Sequence, residues 1–156
     1  MTEDELRPMV LIGHPSGDRV MIRVLGRLRG GVDDYWDGNW LVSPVEIVAG
    51  GFTANVGASL RAEEFHAFRE AVQRLNAELR GEAVLESMEG WLSLVVRVVS
   101  SGRLTVMGKA IDRLGGGNQL LFRIDDLDQS YLLGIIEALD EVEAFFPVVG
   151  TCPRTP

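Results

Sequence analysis

The sequence predicts an α+β fold, a single domain with a largely antiparallel sheet of about six to eight strands and two amphipathic helices. A length of 156 residues corresponds to one domain at about 150 residues per domain. Hydrophobic residues make up 46% of the chain and charged residues 24%, which is the balance of a folded globular protein. Short turn-like connections separate most strand-like segments, and they permit hairpins but not parallel crossovers. A sandwich-like arrangement of the strands is one option.

The domain is expected to cover residues 9–150. Residues 1–8 are predicted to be a disordered lead-in, and residues 151–156 to be a short tail rich in proline. The tail contains Cys152, the only cysteine, so an internal disulfide and a cysteine-based zinc site are excluded. A single free thiol fits a cytosolic protein, and the acidic N-terminus predicts no signal peptide. We therefore expect a cytoplasmic location.

Alternating apolar and polar residues predict the strands of the N-terminal half. The first strand is Met9–Ile12, and the next has apolar residues on one face and arginines on the other: Val20, Ile22 and Val24 against Arg19, Arg23 and Arg27. Trp40–Ala49 is predicted as one strand, in which Pro44 indicates an edge position or a bulge. Gly50-Gly51 then predicts a hairpin turn into a strand over residues 52–60.

Apolar residues at helical spacing predict the first helix, over residues 62–80. Its stripe contains Phe65, Phe68, Val72, Leu75 and Leu79, and Gly81 is expected to cap its end. Four strands follow, over residues 83–87, 91–99, 104–111 and 120–125. The second helix, over residues 129–146, has Asp128 as its expected N-cap. The expected core stripe of this helix contains Leu132, Ile135, Ile136, Leu139 and Phe146.

The negative charge is concentrated in one segment. The chain has 23 acidic and 15 basic residues, a net charge of -8, and direct nucleic-acid binding would need a basic face instead. Residues 125–143 hold seven carboxylates and no lysine or arginine. Several of these lie near the C-terminal end of the second helix, where the helix dipole disfavours negative charge. These candidate binding residues are Glu137, Asp140, Glu141 and Glu143.

Two interpretations of this acidic helix end stay open. It is either a solvated helix face, balanced by Arg19, Arg23 or Arg27 of the sheet, or a docking face for a basic protein partner. The second interpretation expects that neutralising Asp140, Glu141 and Glu143 weakens binding of the partner without lowering the melting temperature.

Residues 33–40 combine carboxylates with aromatic rings. The candidate binding residues in this segment are Asp33, Asp34, Tyr35, Trp36, Asp37, Asn39 and Trp40. An EF-hand calcium loop that starts at Asp33 is rejected, because Tyr35 and Pro44 stand where ligands are required. Three interpretations remain: a structural loop anchored by Trp36 and Trp40, recognition of a partner or ligand, and, least favoured, catalysis.

Catalytic motifs are scarce elsewhere in the sequence. The two histidines, His14 and His66, have no serine or cysteine at a recognisable spacing, and no phosphate-binding loop or zinc-protease motif occurs. The longest apolar runs are much shorter than the ~18 residues of a membrane span. We therefore predict no enzymatic activity, no cofactor, no metal and no membrane association.

Four stretches resemble one known family. They are Asp34–Leu41 (DYWDGNWL), Glu89–Leu92 (EGWL), Asp128–Leu132 (DQSYL) and Phe146–Gly150 (FPVVG). In these stretches the sequence is similar to the WapI-type immunity proteins and their actinobacterial relatives of unknown function. The resemblance implies a small cytosolic protein that binds and neutralises the toxic domain of a secreted, wall-associated polytoxin. It implies no catalytic residues.

The leading hypothesis is therefore an interaction protein whose acidic surface fits a basic toxin domain, since charge complementarity speeds association. The alternative is a small-ligand-binding module that uses residues 33–40. A pocket lined by Trp36, Trp40 and converging carboxylates would favour the ligand, and a flat or convex acidic face would favour the protein partner. The oligomeric state does not follow from the sequence.

Overall fold

The computed structural model describes residues 6–153, which form three helices and eleven strands. The strands, in chain order, are β1 (Met9–Gly13), β2 (Arg19–Arg23), β3 (Gly26–Arg27), β4 (Trp40–Val42), β5 (Val45–Ala49), β6 (Phe52–Val56), β7 (Ser59–Arg61), β8 (Glu82–Glu86), β9 (Leu92–Val98), β10 (Arg103–Ile111) and β11 (Gln119–Asp128). The helices are α1 (Tyr35–Gly38), α2 (Ala62–Glu78) and α3 (Ser130–Phe145), and a 3₁₀ turn spans Ser100–Gly102. Residues 1–5 of the predicted lead-in and residues 154–156 of the predicted tail lie outside the described residues.

The strands form three antiparallel sheets, which confirms the predicted α+β class. Two four-stranded sheets have the strand orders β1-β2-β5-β6 and β11-β10-β9-β8, and β3, β4 and β7 form a smaller sheet. The predicted hairpin at Gly50-Gly51 is present, with Ala49 paired to Phe52. The sheets and the two long helices contribute to one continuous apolar core.

The strand count exceeds the prediction partly because two predicted strands are each divided between sheets. The strand predicted over residues 40–49 breaks at Ser43 and Pro44, so β4 lies in the small sheet and β5 in a four-stranded sheet. Pro44 therefore marks a change of sheet, and the expected edge strand is wrong because β5 lies between β2 and β6. The buried Ser43 hydroxyl accepts the Leu60 N–H at 2.7 Å and ties this break to β7. Residues 52–60 divide in the same way into β6 and β7.

The first long helix, α2, follows its predicted apolar stripe except at its C-terminal end. Phe65, Phe68, Val72 and Leu75 are buried. Leu79 is instead 41% exposed and adopts a left-handed conformation, with φ of 53°, as the residue that caps the helix. The expected cap at Gly81 is therefore wrong. Because β8 begins at Glu82, the chain must reverse direction within three residues and leaves the helix early.

The second long helix, α3, begins and ends within one residue of its predicted bounds. Its stripe is buried as expected, with Val142 as a further core position and Phe146 partly buried. Gln129, and not the expected Asp128, occupies the N-cap position, and it makes no side-chain cap hydrogen bond. The Asp128 carboxylate still accepts the Ser130 N–H at 2.8 Å, which satisfies a free donor at the start of the helix. Hydrogen bonds from the Ser130 hydroxyl and N–H lower the pKa of Asp128.

The helices bring the C-terminal part of the chain next to residues 33–40, which we call the candidate loop. Helix α2 packs against β8 and α3, and α3 packs against β1. After α3 the chain runs back to α1, where the Val149 carbonyl oxygen accepts a hydrogen bond from the Asn39 side chain. At the other terminus, the carbonyl oxygen of the buried Pro8 accepts the Val24 N–H at 3.0 Å. Both ends of the described chain are thus attached to the domain.

Candidate functional site

The candidate loop folds around a buried arginine. Residues 33–40, predicted as a loop, contain the short helix α1, and Arg61, just before α2, packs against it with its whole side chain buried. The guanidinium carbon lies 4.6 Å from the ring centroid of Trp40, 5.4 Å from that of Tyr35 and 5.6 Å from that of Trp36. Cation–π contacts contribute about 2 kcal/mol at desolvated sites. We call these four residues the Arg61 cluster.

Hydrogen bonds satisfy the charged end of Arg61. Its Nη1 donates to the Trp36 carbonyl oxygen at 2.8 Å, and its Nη2 donates to the Tyr35 carbonyl oxygen at 2.7 Å. Helix α1 is a single turn, so its carbonyl groups lack partners within the helix. The Nε of Arg61 donates to the Glu63 carboxylate, which compensates the buried charge. Arg61 therefore holds α1 against the start of α2.

Two carboxylates of α2 belong to the surroundings of Arg61. Glu63 Oε2 is buried and has no hydrogen-bond partner within residues 6–153, so Glu63 depends on Arg61 for compensation. Glu64 accepts the Arg61 N–H at 2.8 Å and the Met88 N–H. Burial raises the pKa of Glu64, and these two hydrogen bonds oppose the shift. Burial, together with the Glu63 carboxylate, raises the pKa of Tyr35.

Two polar side chains hold the backbone of the candidate loop. Asp34 caps α1 by accepting two of its backbone N–H groups, at 3.0 and 3.1 Å. The buried Asn39 amide donates to the carbonyl oxygens of Tyr35 and Val149 and accepts the Val149 N–H, each at 2.9 Å. Val149 also packs so closely against Gly38 that a side chain at this position would clash, because a Cβ would lie 2.8 Å from Val149 Cγ2. These contacts favour the structural interpretation of the loop.

Only part of the candidate loop faces solvent. Asp33, Asp34, Trp36 and Asp37 are exposed, and Trp36 keeps 46% of its surface accessible. Asp37 pairs with Arg29 at 3.1 Å. The loop candidates whose side chains serve the internal contacts described above are Asp34, Tyr35, Asn39 and Trp40.

The acidic end of α3 is balanced in part by α2. The Arg69 guanidinium contacts Asp140 and lies 2.7 Å from the Glu143 carboxylate. His66 Nδ1 lies 2.6 Å from the other Glu143 oxygen, and His66 Nε2 lies 3.2 Å from Glu70. Half of the candidate carboxylates on this helix are therefore engaged within the protein.

The arginines of the sheet have other partners. Arg19 pairs with Glu46 at 2.8 Å. Arg27 donates to the carbonyl oxygens of Gly38 and Pro147, at 2.8 and 2.6 Å. Within the described residues, Arg19, Arg23 and Arg27 form no ion pair with α3, although Arg27 reaches the Pro147 carbonyl just past its end. The ion pairs to the acidic helix come instead from Arg69 and His66 of α2, which packs directly against α3.

Glu137 and Glu141 differ from their neighbours on α3. Both are exposed, and neither takes part in an ion pair in the part of the chain that the structure describes. Residues 146–150 lead from the end of this helix to Asn39 and α1. Seven candidates are exposed, but Asp34 caps α1 and Asp140 contacts Arg69. The other five are Asp33, Trp36, Asp37, Glu137 and Glu141, of which only Asp37 is in an ion pair; we call them the exposed acidic set.

Local sequence patterns do not identify Arg61, Arg69 and His66 as partners of the candidate residues. The sequence gives one indication for Arg61. It directly follows the alternating strand and comes shortly before two glutamates, so a charged side chain lies between two elements that contribute to the core. Arg69 and His66 lie on α2 beside its apolar stripe, which is the normal place for solvated residues. Their partners are 71 and 77 positions away, and no local pattern reveals them.

The Arg61 guanidinium lies against the three aromatic rings of the candidate loop. Within the described residues, no three side chains of histidine, cysteine, aspartate or glutamate are grouped to hold a metal ion. In the same part of the chain, no helix has the length and apolar character needed to cross a membrane.

Fold and site together define a small α+β protein that exposes a set of acidic and aromatic side chains. The model of the immunity protein WapI-like family matches residues 11–147 of the chain, and the protein belongs to that family. The membership confirms the resemblance seen in the sequence. Neither the curated proteins nor the solved structures contain a match to this chain.

Proposed function

We propose that this protein is an immunity protein that binds and neutralises the toxic domain of a polymorphic toxin, in the cytoplasm and without catalysis. The observation that carries the proposal is the family match, which spans residues 11–147. The single free cysteine, Cys152, fits the proposed location.

The proposed toxin domain presents a basic surface to this protein. Glu137 and Glu141 lie four residues apart on α3, where like charges repel each other, and the nearby C-terminal helix end adds to the cost. Cations from a partner would compensate both effects. Opposite charges across an interface also raise the association rate.

Trp36 is the proposed anchor of the interface. Tryptophan is enriched among the residues that dominate binding energy, and Trp36 is exposed while its backbone is held by Arg61 and Asp34. A side chain on a backbone that is already ordered loses less entropy when it is buried by a partner.

Co-expression with the toxin domain encoded beside this protein tests the proposal. We expect growth to be rescued and the two proteins to elute together from gel filtration. Absence of both rescue and complex would overturn the proposal.

A variant series tests the proposed surface in the same complex. Glu137→Gln with Glu141→Gln is expected to weaken binding about tenfold at low salt by slowing association, and Trp36→Ala about thirtyfold through a loss of about 2 kcal/mol. The matched control is Glu78→Gln with Glu89→Gln, which changes the charge equally at exposed positions elsewhere. Equal weakening by the control would show a non-specific charge effect and overturn the proposed surface.

A further inference from the structure

The sheet β1-β2-β5-β6 has one edge without the usual protection. Natural edge strands are shielded by charges, proline, bulges or covering elements. Strand β1 packs against α3, β8 carries Glu82 and Glu86, and β11 carries several charges and a register shift against β10. Strand β6, with the sequence FTANV, has neither a charge nor a proline. Such an edge is open to pairing with another strand.

The hairpin register directs backbone groups of β6 outward. Ala49 pairs with Phe52 across a two-residue turn in which Gly50 has a φ of 59°, as the first position of a type II′ turn requires. Hydrogen-bonded pairs alternate with non-hydrogen-bonded pairs along an antiparallel ladder. Since the pair that closes the turn is hydrogen-bonded, Thr53 and Asn55 turn their N–H and C=O groups away from β5.

An apolar groove of about 310 Å³ lies beside this edge. One wall is β6, and the other is the end of the β10–β11 hairpin, including Ala110, Ile111 and Leu120. This hairpin end also contributes Asp112, whose carboxylate accepts two hydrogen bonds from Asn118. Phe52 lines the groove, and 67% of its surface is exposed. A cavity of about 150 Å³ holds a benzene ring, so the groove has room for a second phenyl ring.

We propose that two copies of this chain pair through β6 about a twofold axis centred on Ala54. This antiparallel register places Thr53 opposite Asn55 of the second copy, so both outward-facing residues form hydrogen-bonded pairs. It also places Phe52 opposite Val56 of the second copy, on the face that lines the groove. Each phenylalanine therefore enters the groove of the other copy, and the surface is self-complementary, as a twofold interface requires.

Charge supports a second copy as the occupant of this edge. With a net charge of -8, two copies repel each other where their acidic faces meet. Strand β6 is uncharged, and Glu46, the residue opposite Asn55 on β5, is already paired with Arg19 at 2.8 Å. The pairing joins two four-stranded sheets into one of eight strands, and it does not depend on the proposed immunity function.

Sedimentation of the full chain at micromolar to millimolar concentration tests the dimer. We expect the mass to rise with concentration from 17.1 kDa toward twice that value. Thr53→Lys places a charge on the edge and is expected to give a monomer. Its melting temperature should match that of the wild type at concentrations where both are monomeric, whereas Thr53→Val, the matched control, keeps the dimer. A wild-type chain that stays monomeric throughout, or a dimer that persists in Thr53→Lys, overturns the proposal.

Disulfide trapping tests the register itself. In a Cys152→Ser background, Ala54→Cys puts two thiols face to face with Cα atoms about 4.5 Å apart, within the range of a disulfide. Thr53→Cys is the matched control, because its symmetry mate lies two residues along the neighbouring strand, beyond the ~7 Å limit for a disulfide. We expect a covalent dimer on oxidation for Ala54→Cys alone. Equal cross-linking of the two variants, or none in either, contradicts the proposed axis.

Discussion

Two arginines about two turns apart on and just before α2 lie in opposite environments. The Arg61 side chain is wholly buried among three aromatic rings and donates to two carbonyl oxygens and one carboxylate. Arg69 lies at the surface, 26% exposed, and pairs with two carboxylates of α3. Both arginines join elements that are distant in the sequence, and only the first does so out of contact with water.

The difference between the two sites predicts how each responds to mutation. At the surface, water replaces a lost ion pair at little cost, and exposed pairs are worth about 0–1 kcal/mol. In the interior, water cannot replace the lost partner of a charged group, so breaking a buried ion pair costs about 3–5 kcal/mol. The Arg61 cluster should therefore control stability, while the Arg69 pairs should have little influence on it.

The largest effect is expected for Arg61→Met. The substitution keeps most of the volume but leaves the Tyr35 and Trp36 carbonyl groups and the Glu63 carboxylate without their donor, and we expect a loss of about 3–5 kcal/mol. Urea unfolding at neutral pH measures it. Arg61→Lys should recover only part of the loss, since a single ammonium does not reproduce the fork of donors. A loss below about 1 kcal/mol for Arg61→Met would show that Arg61 stabilises the fold no more than the surface Arg69 does, and would contradict the prediction.

A smaller loss is expected for Asn39→Ala. The buried amide makes three hydrogen bonds that join α1 to Val149, and unsatisfied buried groups cost about 1–3 kcal/mol. Asn76→Ala, at an exposed position of α2, is the matched control and should change the free energy of unfolding by less than about 0.5 kcal/mol. Equal effects of the two substitutions in thermal unfolding would show that the contact between Asn39 and Val149 is dispensable.

At the surface, Asp140→Asn combined with Glu143→Gln is expected to cost less than about 1 kcal/mol. The loss should vanish near 1 M salt, where the screening length is about 3 Å. Comparing unfolding at low and high salt for this variant and for Arg61→Met tests the contrast directly, because the buried cluster should show no such dependence. If the stability loss of the surface variant did not depend on salt, its ion pairs would behave like the buried ion pair of Arg61, which would contradict the prediction.

The smallest effect is expected in the pH dependence contributed by Glu64. Burial raises the pKa of Glu64 in the folded protein, so the folded state holds this proton more tightly than the unfolded state does. Its contribution to stability is full at low pH and is lost as the pH rises through the raised pKa. The free energy of unfolding of the wild type, relative to that of Glu64→Gln, should therefore fall as the pH rises from about 4, the ordinary pKa of a glutamate, through the raised pKa. Parallel unfolding profiles over this range would contradict the prediction.

Local patterns were enough to predict several elements. The apolar stripe of α3 and its flanking Asp128 predict its bounds to within one residue, and Gly50-Gly51 predicts the β5–β6 hairpin. In both cases the determining contacts lie within a few positions along the chain, where propensity and periodicity act. The resemblance that residues 34–41 carry in part also led to the correct family.

The sequence by itself thus determined the fold class, the two long helices and the family. The tertiary structure alone decided which sheet each half of residues 40–49 joins, which arginine α1 folds around, and which acidic residues stay exposed. These outcomes depend on contacts such as Asn39 with Val149, 110 positions apart, and Arg69 with Asp140, 71 positions apart. A local pattern shows that a side chain is polar or charged, but only the packed chain determines whether its partner is another residue, water or a second protein.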